Sequence, residues 1–326
     1  MPKRARPAQN HLSDAGALRV RAAWLYYNRG LTQNQIADQL GISRSSVIRL
    51  LEEARARGEV QIWINETPGE CTALALALET RLGLDEVVIV PGSGTALETA
   101  QDVGAALGRY LSNVIADDMV VGVGWGRTLS ASLRTFRPVR RQGVQVLSLM
   151  GGLVRAEGLN PIDFSWQLAS HLGASCLLFL APLIVDSAAT RQRLIDDCGL
   201  GDLVARASAM DLAVISCGEV GIGSSSMSSA FLDQADLRGL IAAGAVCDCM
   251  CSFLDEAGNP VSHPLPDRVM SVGLEAVARA KHVVLASGGA RRAAAIRAAI
   301  RRTGCQTLIT DEAAALALMA LEPGTA

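Results

Sequence analysis

The stretch "MVVGVGWGRTLSASL", residues 119–133, combines an apolar run, a glycine-rich turn and the beginning of a helix. Its apolar part is typical of a buried strand, and Gly122, Gly124 and Gly126 come where that strand ends. Backbone amides at the start of a helix bind anions, and glycine lets an anion approach the backbone closely. The stretch therefore predicts a strand, a turn and a helix, with a small-anion site at the turn.

Similar units continue on both sides of this stretch. The strand candidates are "EVVIV", "MVVGVG", "VQVLSLM", "ASCLLFLA", "LAVISCG", "AVCDCMC", "HVVLAS" and "QTLIT". The helical candidates between them include residues 95–111, 128–135, 162–171, 187–197 and 291–301. This alternation predicts an α/β fold with a doubly wound, mostly parallel sheet, helices on both faces and a ligand site at the carboxyl ends of the strands.

Glycine-rich turns follow four of these strand candidates. Besides the first turn they contain Gly151 and Gly152, Gly221 and Gly223, and Gly288 and Gly289, which precede Arg291 and Arg292. Four such turns at one end of a sheet favour a phosphorylated or polyhydroxylated ligand. The spacing is neither G-x-G-x-x-G nor G-x-x-x-x-G-K-[ST], which argues against a dinucleotide or ATP, and no cofactor is predicted.

A second strong pattern lies near the N-terminus, in "LTQNQIADQLGISRSSVIRLLEEARARGEVQIWI", residues 31–64. Thr32 and Gln35 predict a capping box, Gly41 a sharp turn, and Ser43 the cap of a second helix. Apolar side chains at helical spacing predict the buried faces; they are Ile36, Ala37, Leu40, Val47, Leu50, Leu51 and Ala54, joined by Leu18, Ala22 and Leu25 of an earlier helix. The pattern predicts a helix-turn-helix, and the alternating "GEVQIWI" predicts a wing strand after it.

The second helix of this motif would enter the major groove of DNA. We expect contacts from the start of both helices, namely Thr32, Gln33, Gln35, Ser43, Arg44, Ser45, Ser46 and Arg49. Residues 1–65 carry ten Lys and Arg against five Asp and Glu, a net +5, so the remaining chain carries −7 of the total −2. A basic head on an acidic body favours double-stranded DNA as a partner. A three-helix packing module that touches no DNA is the alternative.

The remaining composition favours a cytoplasmic protein. Eight cysteines are scattered without framework spacing, which is typical of reduced thiols. The N-terminus is polar, and no run approaches the roughly 18 apolar residues of a membrane helix. In "CDCMC", Cys247, Cys249 and Cys251 would share one face of a strand; zinc sites prefer a different ligand spacing, so no metal is predicted.

Side chains suited to catalysis are scarce. Schiff-base chemistry needs a lysine in the pocket, but Lys3 is in the tail and Lys281 precedes the strand "HVVLA" at its amino end. No histidine stands beside a nucleophile in the sequence. Asp248 is the acid expected in the pocket, where it would accept hydrogen bonds from sugar hydroxyls; a strand-end acid facing solvent is the alternative. These observations predict a binding site without catalysis.

Motifs in both parts of the chain carry a family resemblance. In the head they lie in residues 31–60, and in the body they are "VGVGWGRTL", "MGGL", "NPIDFSWQLA", "GIG", "GDL", "CDCMCSFLDEAGNP", "ASGGARRAAAIRAAI" and "LITDEAAALAL". Together they resemble the SorC family of sugar-responsive bacterial transcription regulators over nearly the whole chain. The resemblance implies an effector domain of the sugar-phosphate isomerase and deaminase type without its chemistry. It also implies a sugar, polyol or sugar-phosphate effector and a homo-oligomer, a tetramer or dimer of dimers, on operator DNA.

The resemblance also assigns the effector site to positions of this sequence. They are Gly124, Trp125, Gly126, Arg127, Thr128, Gly151, Gly152, Asn160, Gly221, Gly223, Asp248, Gly288, Gly289 and Arg292. Family members usually have lysine where this chain has Arg292, which can hold a phosphate with two parallel hydrogen bonds. An unphosphorylated polyol such as erythritol is the alternative ligand, because regulators of polyol pathways have similar heads.

The sequence thus predicts two domains and one regulatory function. Residues 1–66 form the DNA-binding helix-turn-helix domain, and residues 67–326 bind the effector and form the oligomer. The effector of a carbohydrate catabolic operon would control operator binding. The alternatives are a sugar-phosphate isomerase or deaminase with an added DNA-binding head, and an interaction module whose head no longer binds DNA.

Overall fold

The computed structural model describes residues 15–60, 70–92, 94–154, 160–222, 224 and 232–322. The chain divides into two compact units, residues 1–66 and residues 67–326. Two predicted features, Gly223 and residues 61–64 of the wing strand, lie outside the described residues.

The first unit contains the predicted helix-turn-helix. Its helices are α1 (Ala15–Tyr27), α2 (Gln33–Leu40) and α3 (Arg44–Ala56). The capping box is confirmed, since Thr32 N donates to Gln35 Oε1 over 2.9 Å and Gln35 N donates to Thr32 Oγ1 over 3.4 Å. Gly41 ends α2 in the left-handed conformation with φ 68°, and Ser43 caps α3 by accepting from Ser46 N over 3.1 Å. Short-range hydrogen bonds therefore fix the turn between the two helices.

The small core of this unit has the predicted members. Ile36 and Ala37 of α2 are buried against the stripe of α3 and against α1. The other buried predicted residues are Ala22, Leu25, Val47, Leu50, Leu51 and Ala54, with Leu18 and Leu40 packed at the edge. Tertiary packing of these apolar faces stabilises helices that would be marginal alone at this length.

An ion pair closes the edge of this core. Arg19 of α1 is only 8% exposed, and its Nε donates to Glu59 Oε2 over 2.6 Å while its Nη2 donates to Glu59 Oε1. Its Nη1 also lies 3.8 Å from Glu53 Oε2. The hydrogen bond from Arg19 lowers the pKa of the Glu59 carboxyl. The bidentate pair ties α1 to the residues that follow α3.

The described residues of the second unit contain ten short strands. In chain order they are β1 (Glu86–Val90), β2 (Val120–Val123), β3 (Gln145–Ser148), β4 (Ser175–Leu177), β5 (Leu212–Ile215), β6 (Cys217–Glu219), β7 (Cys247–Cys249), β8 (Ser252–Leu254), β9 (His282–Ala286) and β10 (Thr307–Asp311). Seven of them form one sheet in the order β1-β10-β9-β5-β2-β3-β4, and every neighbouring pair is parallel. The predicted parallel α/β fold is confirmed.

Helices cover both faces of this sheet. They are α4 (Glu70–Leu82), α5 (Ala96–Val114), α6 (Arg127–Ser132), α7 (Pro161–Leu172), α8 (Ala188–Asp197), α9 (Leu200–Ala207), α10 (Gln234–Ala242), α11 (Leu274–Val277), α12 (Ala293–Thr303) and α13 (Glu312–Ala320). Successive residues of β5 belong to two separate hydrophobic cores. Leu212 and Val214 pack with α5, α6 and α7 on one face of the sheet. Ala213 and Ile215 pack with α4, α9, α12 and α13 on the other face. This alternation is the two-sided burial expected of a doubly wound sheet.

The remaining three strands form a small antiparallel sheet, β6-β7-β8, and here the prediction was partly wrong. "LAVISCG" divides at Ser216 into β5 and β6, and "AVCDCMC" forms β7 and a turn instead of a strand of the large sheet. Met250 and Cys251 have φ 55° and 59°, the signature of a tight two-residue hairpin turn. Cys251 therefore does not share a strand face with Cys247 and Cys249. An apolar run looks alike in either sheet, because both sheets bury it.

The strand order creates a switch point between β2 and β5. The chain leaves β2 through α6 to reach β3 on one side, whereas β5 lies on the other side and precedes β9 further along. Loops that follow two such strands diverge and leave a crevice at their carboxyl ends, where ligands bind in doubly wound folds. The stretch at 119–133 supplies one wall of this crevice.

Candidate functional site

A cleft lies at this switch point, above the carboxyl ends of β2 and β5. Its walls come from the two strand ends, from the β7–β8 hairpin and from the turn before α12. The lining residues are Ala100, Trp125, Gly126, Arg127, Thr128, Met150, Ser216, Cys217, Gly218, Asp248, Met250, Cys251 and Arg292. Six residues predicted for the effector site, Trp125 to Thr128 with Asp248 and Arg292, therefore meet in one place. Gly124 lies just beneath, with its N–H donating to Val214 O over 2.9 Å.

The turn after β2 depends on the backbone of Gly126. Its φ of 153° and ψ of 163° fall in a region that is nearly restricted to glycine. This conformation begins α6 at Arg127 and buries Thr128 at the cleft, where its side chain lines the wall. Since α6 has six residues, the positive charge of the cleft comes chiefly from arginine side chains rather than from a helix dipole.

Asp248 supplies a carboxylate to the cleft and is 9% exposed. Its Oδ1 accepts a hydrogen bond from Cys251 N over 3.0 Å, which braces the hairpin turn with its two left-handed residues. The prediction of an acid inside the pocket, rather than one facing solvent, agrees with this position. A carboxylate held in this way can accept hydrogen bonds from ligand hydroxyls through its other oxygen.

Two arginines face the same space. Arg292 Nε donates to Glu219 Oε2 over 2.7 Å, and the two side chains are only 13% and 12% exposed. Burial and the neighbouring charge of Arg292 lower the pKa of Arg127, and Glu219 opposes this effect. Arg127, Arg292 and Glu219 are therefore close enough to influence one another electrostatically. The cleft has the charge pattern of an anion site that an internal carboxylate partly neutralises.

A second cleft adjoins the first and shares Arg292 with it. It is lined by Gly94, Thr95, Ala96, Thr99, Glu219, Gly288, Gly289, Ala290, Arg291, Arg292, Asp311 and Ala313. Gly289 N donates to Asp311 Oδ1 over 2.7 Å, and Asp311 is 1% exposed at the end of β10. The predicted Gly288 and Gly289 thus line the second cleft rather than the first.

Four other predicted residues do not join either cleft. Gly151 and Gly152 follow β3 but pair with neighbouring backbone, their N–H groups donating to Met270 O and Ala181 O over 2.8 Å each. A side chain at Gly151 would come within 2.7 Å of Ala181 O, so close packing requires glycine there. Asn160 caps α7, and its amide bonds both backbone groups of Leu153. Gly221 follows β6 of the small sheet, so the prediction of four glycine turns at one end of one sheet was wrong for this turn.

Sequence reasoning missed Glu219 and Asp311. Glu219 follows two small residues in "SCGE" and carries no periodic signal of its own. Asp311 offered one signal, because a charged residue that ends a buried strand of a parallel sheet lies at the ligand-binding edge. Its role depends on the pairing of β10 with β9, which residue spacing alone does not reveal.

The outer face of α3 presents the predicted DNA contacts. Arg44, Ser45 and Arg49 are exposed, and Arg44 Nε donates to Gln33 Oε1 over 3.3 Å. The Ser43 hydroxyl lies 2.9 Å and 2.8 Å from the hydroxyls of Ser45 and Ser46. Thr32 and Gln35 are engaged in the capping box, so the free side chains of this face are mainly those of α3 itself. Such a face suits base and phosphate contacts in a major groove.

Two further classes of site are absent from the described residues. No group of three or more His, Cys, Asp and Glu there could hold a metal ion. No helix in the same ranges is long and apolar enough to cross a membrane. Lys281 precedes β9 at its amino end, and its Nζ lies 2.7 Å from Asp211 Oδ1, away from both clefts.

Comparisons with known proteins match both units. A putative sugar-binding domain matches residues 66–320, and a homeodomain-like domain matches residues 16–63. The transcriptional regulator LsrR of Enterobacter sp. (strain 638) is 30% identical, with 93% of this chain and 92% of that protein covered. The erythritol catabolism regulatory protein EryD of Brucella abortus (strain 2308) is 28% identical over 93% of this chain and 96% of its own length. The full-length sorbitol operon regulator SorC from Klebsiella pneumoniae shares the fold, with a TM-score of 0.70 and 23% identity over 94% of this chain and all of that one.

The chain belongs to the SorC family of sugar-binding transcription regulators. The family, the fold class and the helix-turn-helix that the sequence predicted are thereby confirmed. These relatives are transcription regulators, so the protein is an effector-controlled DNA-binding regulator and not an isomerase or deaminase with an added head. This SorC-family member has arginine, Arg292, at the position that resemblance to the family assigns to the ligand.

Proposed function

We propose that the cleft at the switch point binds the anionic end of a phosphorylated sugar or polyol and that α3 reads the operator. The observation that supports this most is the convergence of Arg127, Arg292 and Asp248 on one buried cleft. Two guanidinium groups suit a phosphate, and a carboxylate suits the hydroxyls of the same ligand. Ligand binding there would control the operator affinity of residues 1–66.

The regulator would work as a homo-oligomer in the cytoplasm. A tetramer or dimer of dimers would bring several copies of α3 onto one operator, and the ligand would change how well they match two half-sites. Effector and operator must then change each other's affinity by the same factor. Whether the ligand releases or promotes DNA binding depends on which arrangement the ligand favours.

The ligand site is tested first by thermal shift in a phosphate-free buffer. Ribose 5-phosphate, ribose, erythritol and erythritol phosphate serve as probes, because a ligand that binds only the folded state raises the melting midpoint. We expect a phosphorylated probe to give the larger shift. A shift with erythritol alone would mean that the cleft holds hydroxyls and that Arg292 is no phosphate clamp.

Two substitutions then locate the site. Arg292→Ala should weaken binding of the phosphorylated probe about 10- to 100-fold, the loss of a charged hydrogen bond, and Thr128→Ala by several-fold. DNA binding without ligand should remain. Arg297→Ala is the matched control, since Arg297 lies on α12 outside both clefts with 12% of its side chain exposed. Unchanged affinity in both cleft variants would place the site elsewhere.

The DNA face is tested separately. Arg44→Ala and Arg49→Ala should each lower operator affinity by about 10-fold or more, with a shallower salt dependence if a phosphate contact is lost. The exposed Arg238 of α10 provides a control of equal charge, Arg238→Ala, which should leave DNA affinity unchanged. Equal affinities for all three variants and the wild type would show that α3 is not the recognition helix.

A further inference from the structure

The Glu219–Arg292 ion pair lies where the two clefts meet. Arg292 lines both of them, and Glu219 lines the second. The first cleft has a volume of about 50 Å³ and the second about 300 Å³. Ligand pockets usually enclose about 300–1,000 Å³, and one water takes about 30 Å³. The first cleft alone is therefore smaller than a usual ligand pocket, and the second cleft, which shares Arg292 with it, adds a volume at the lower end of that range.

The pair also sets the charge of this space. Glu219 Oε2 is 2.7 Å from Arg292 Nε, and Arg127 is near enough for Glu219 to raise its pKa against the effects of burial and Arg292. Because both side chains are nearly enclosed, little water is available to solvate either charge when its partner is removed. A ligand that takes Arg292 from Glu219 must therefore bring its own negative charge, because an uncompensated buried charge is strongly unfavourable.

We propose that Glu219 is a built-in competitor for the anionic group of the ligand. In the unliganded protein its carboxylate holds Arg292, and a ligand phosphate takes its place on Arg292 and joins the two clefts into one site. This inference rests on the proposed ligand site. It adds that the affinity for an anion is set by the displacement of Glu219, so that a neutral polyol, which cannot replace the carboxylate on Arg292, leaves the pair closed.

A positioning role for Glu219 predicts the opposite effect. If the carboxylate only aimed Arg292 at the ligand, removal of its charge would weaken binding. If Glu219 competes, removal of its charge strengthens phosphate binding. The phosphate then no longer has to displace the Glu219 carboxylate from Arg292, and it is no longer repelled by that carboxylate. Glu219 lines the second cleft together with Arg292, so a ligand that reaches Arg292 from that cleft meets the carboxylate, which favours competition.

Calorimetric titration of the full-length protein distinguishes these roles. The probes are inorganic phosphate, ribose 5-phosphate and erythritol in an amine-sulfonate buffer of constant ionic strength. Glu219→Gln should bind both phosphate probes at least about tenfold more tightly than the wild type, the range of one charge-assisted hydrogen bond, with a smaller change for erythritol. Glu256→Gln is the matched control, because Glu256 also pairs with an arginine, Arg297 at 3.6 Å, outside both clefts.

Weaker or unchanged phosphate binding by Glu219→Gln overturns the inference. If that variant does not fold, Glu219→Asp provides the same test. Its shorter side chain loosens the contact with Arg292, so it should also bind phosphate more tightly than the wild type. A loss of phosphate affinity in this variant counts against competition. Arg292→Ala separates the two proposals. If the wild type binds phosphate, Arg292→Ala abolishes this binding and Glu219→Gln does not improve it, only the competitor role of Glu219 is refuted. If none of the proteins binds phosphate, the proposed ligand site is refuted as well.

Discussion

Each unit of this regulator holds an arginine against a glutamate, and the two pairs have different surroundings. In the first unit Arg19 makes two hydrogen bonds to Glu59 at the edge of a helical core, and neither residue lines a described cleft. In the second unit Arg292 Nε donates a hydrogen bond to Glu219 Oε2 where two clefts meet. We infer that the same chemistry stabilises the fold in the first unit and belongs to the proposed ligand site in the second.

The neighbours of each pair explain this difference. Arg19 of α1 is only 8% exposed and has Glu53 as a second acid nearby, so two carboxylates already compensate its charge. Arg292 shares its cleft with Arg127, whose lowered pKa reports burial beside another cation. A second arginine next to an ion pair leaves positive charge that a ligand can use. A buried ion pair is therefore informative about function when one of its members lines a cleft beside a further charge.

Removal of Arg19 should give the largest change in stability. Breaking a fully buried pair costs about 3–5 kcal/mol, and because Glu59 retains 25% exposure we expect about 1–3 kcal/mol for Arg19→Met. Amide hydrogen exchange of α1 and α3 in the full-length protein measures this local free energy of opening. Ligand binding should not change. Unaltered exchange in both helices would show that the pair does not hold the first unit together.

Acid should weaken the same pair. The pKa of Glu59 is lowered from its ordinary value of 4.5, chiefly by the hydrogen bond from Arg19. A lowered pKa in the folded state stabilises the fold above the unfolded value, and this stabilisation is lost as the pH falls below about 4.5. Hydrogen exchange, corrected for its intrinsic pH dependence, should therefore show the wild type approaching Arg19→Met at low pH. A constant gap between the two proteins from pH 6 to pH 3 would contradict this assignment.

Removal of Arg292 should change stability less than removal of Arg19. Arg292→Met leaves the carboxylate of Glu219 nearly enclosed, but Arg127 remains as a nearby cation, so we expect a loss of about 1 kcal/mol in the exchange of α12 amides. Arg206→Met is the reference, because its pair with Asp202 is exposed and such pairs contribute about 0–1 kcal/mol. If Arg292→Met destabilised its unit as much as Arg19→Met does, the pair in the cleft would be structural and the comparison would fail.

The sequence was most informative where local rules determine the structure. The capping box of Thr32 and Gln35, the left-handed Gly41 and the stripe of Val47, Leu50, Leu51 and Ala54 all follow from residues close in the chain. The parallel sheet was predictable for the same reason, because short, largely apolar strand segments alternate with helical segments along the chain.

The site was less predictable because it depends on contacts distant in sequence. Glu219 meets Arg292 across 73 residues, and Asp311 meets Gly289 across 22. The hairpin that carries Asp248 pairs β6 with β7 in a second sheet, which the apolar run "AVCDCMC" does not distinguish from the first. Gly151 and Gly152 look like ligand-binding glycines in sequence, but the backbone of Ala181 and the side chain of Ile162 lie where side chains at these two positions would be.

The most direct test of the whole account is the reciprocal coupling of ligand and DNA. A DNA fragment selected by the protein from a random library and the phosphorylated probe with the largest thermal shift are titrated separately and together. We predict that the probe changes DNA affinity, that DNA changes probe affinity by the same factor, and that Arg292→Ala abolishes both effects while retaining DNA binding. Full probe binding with no change in DNA affinity would contradict effector control through this cleft.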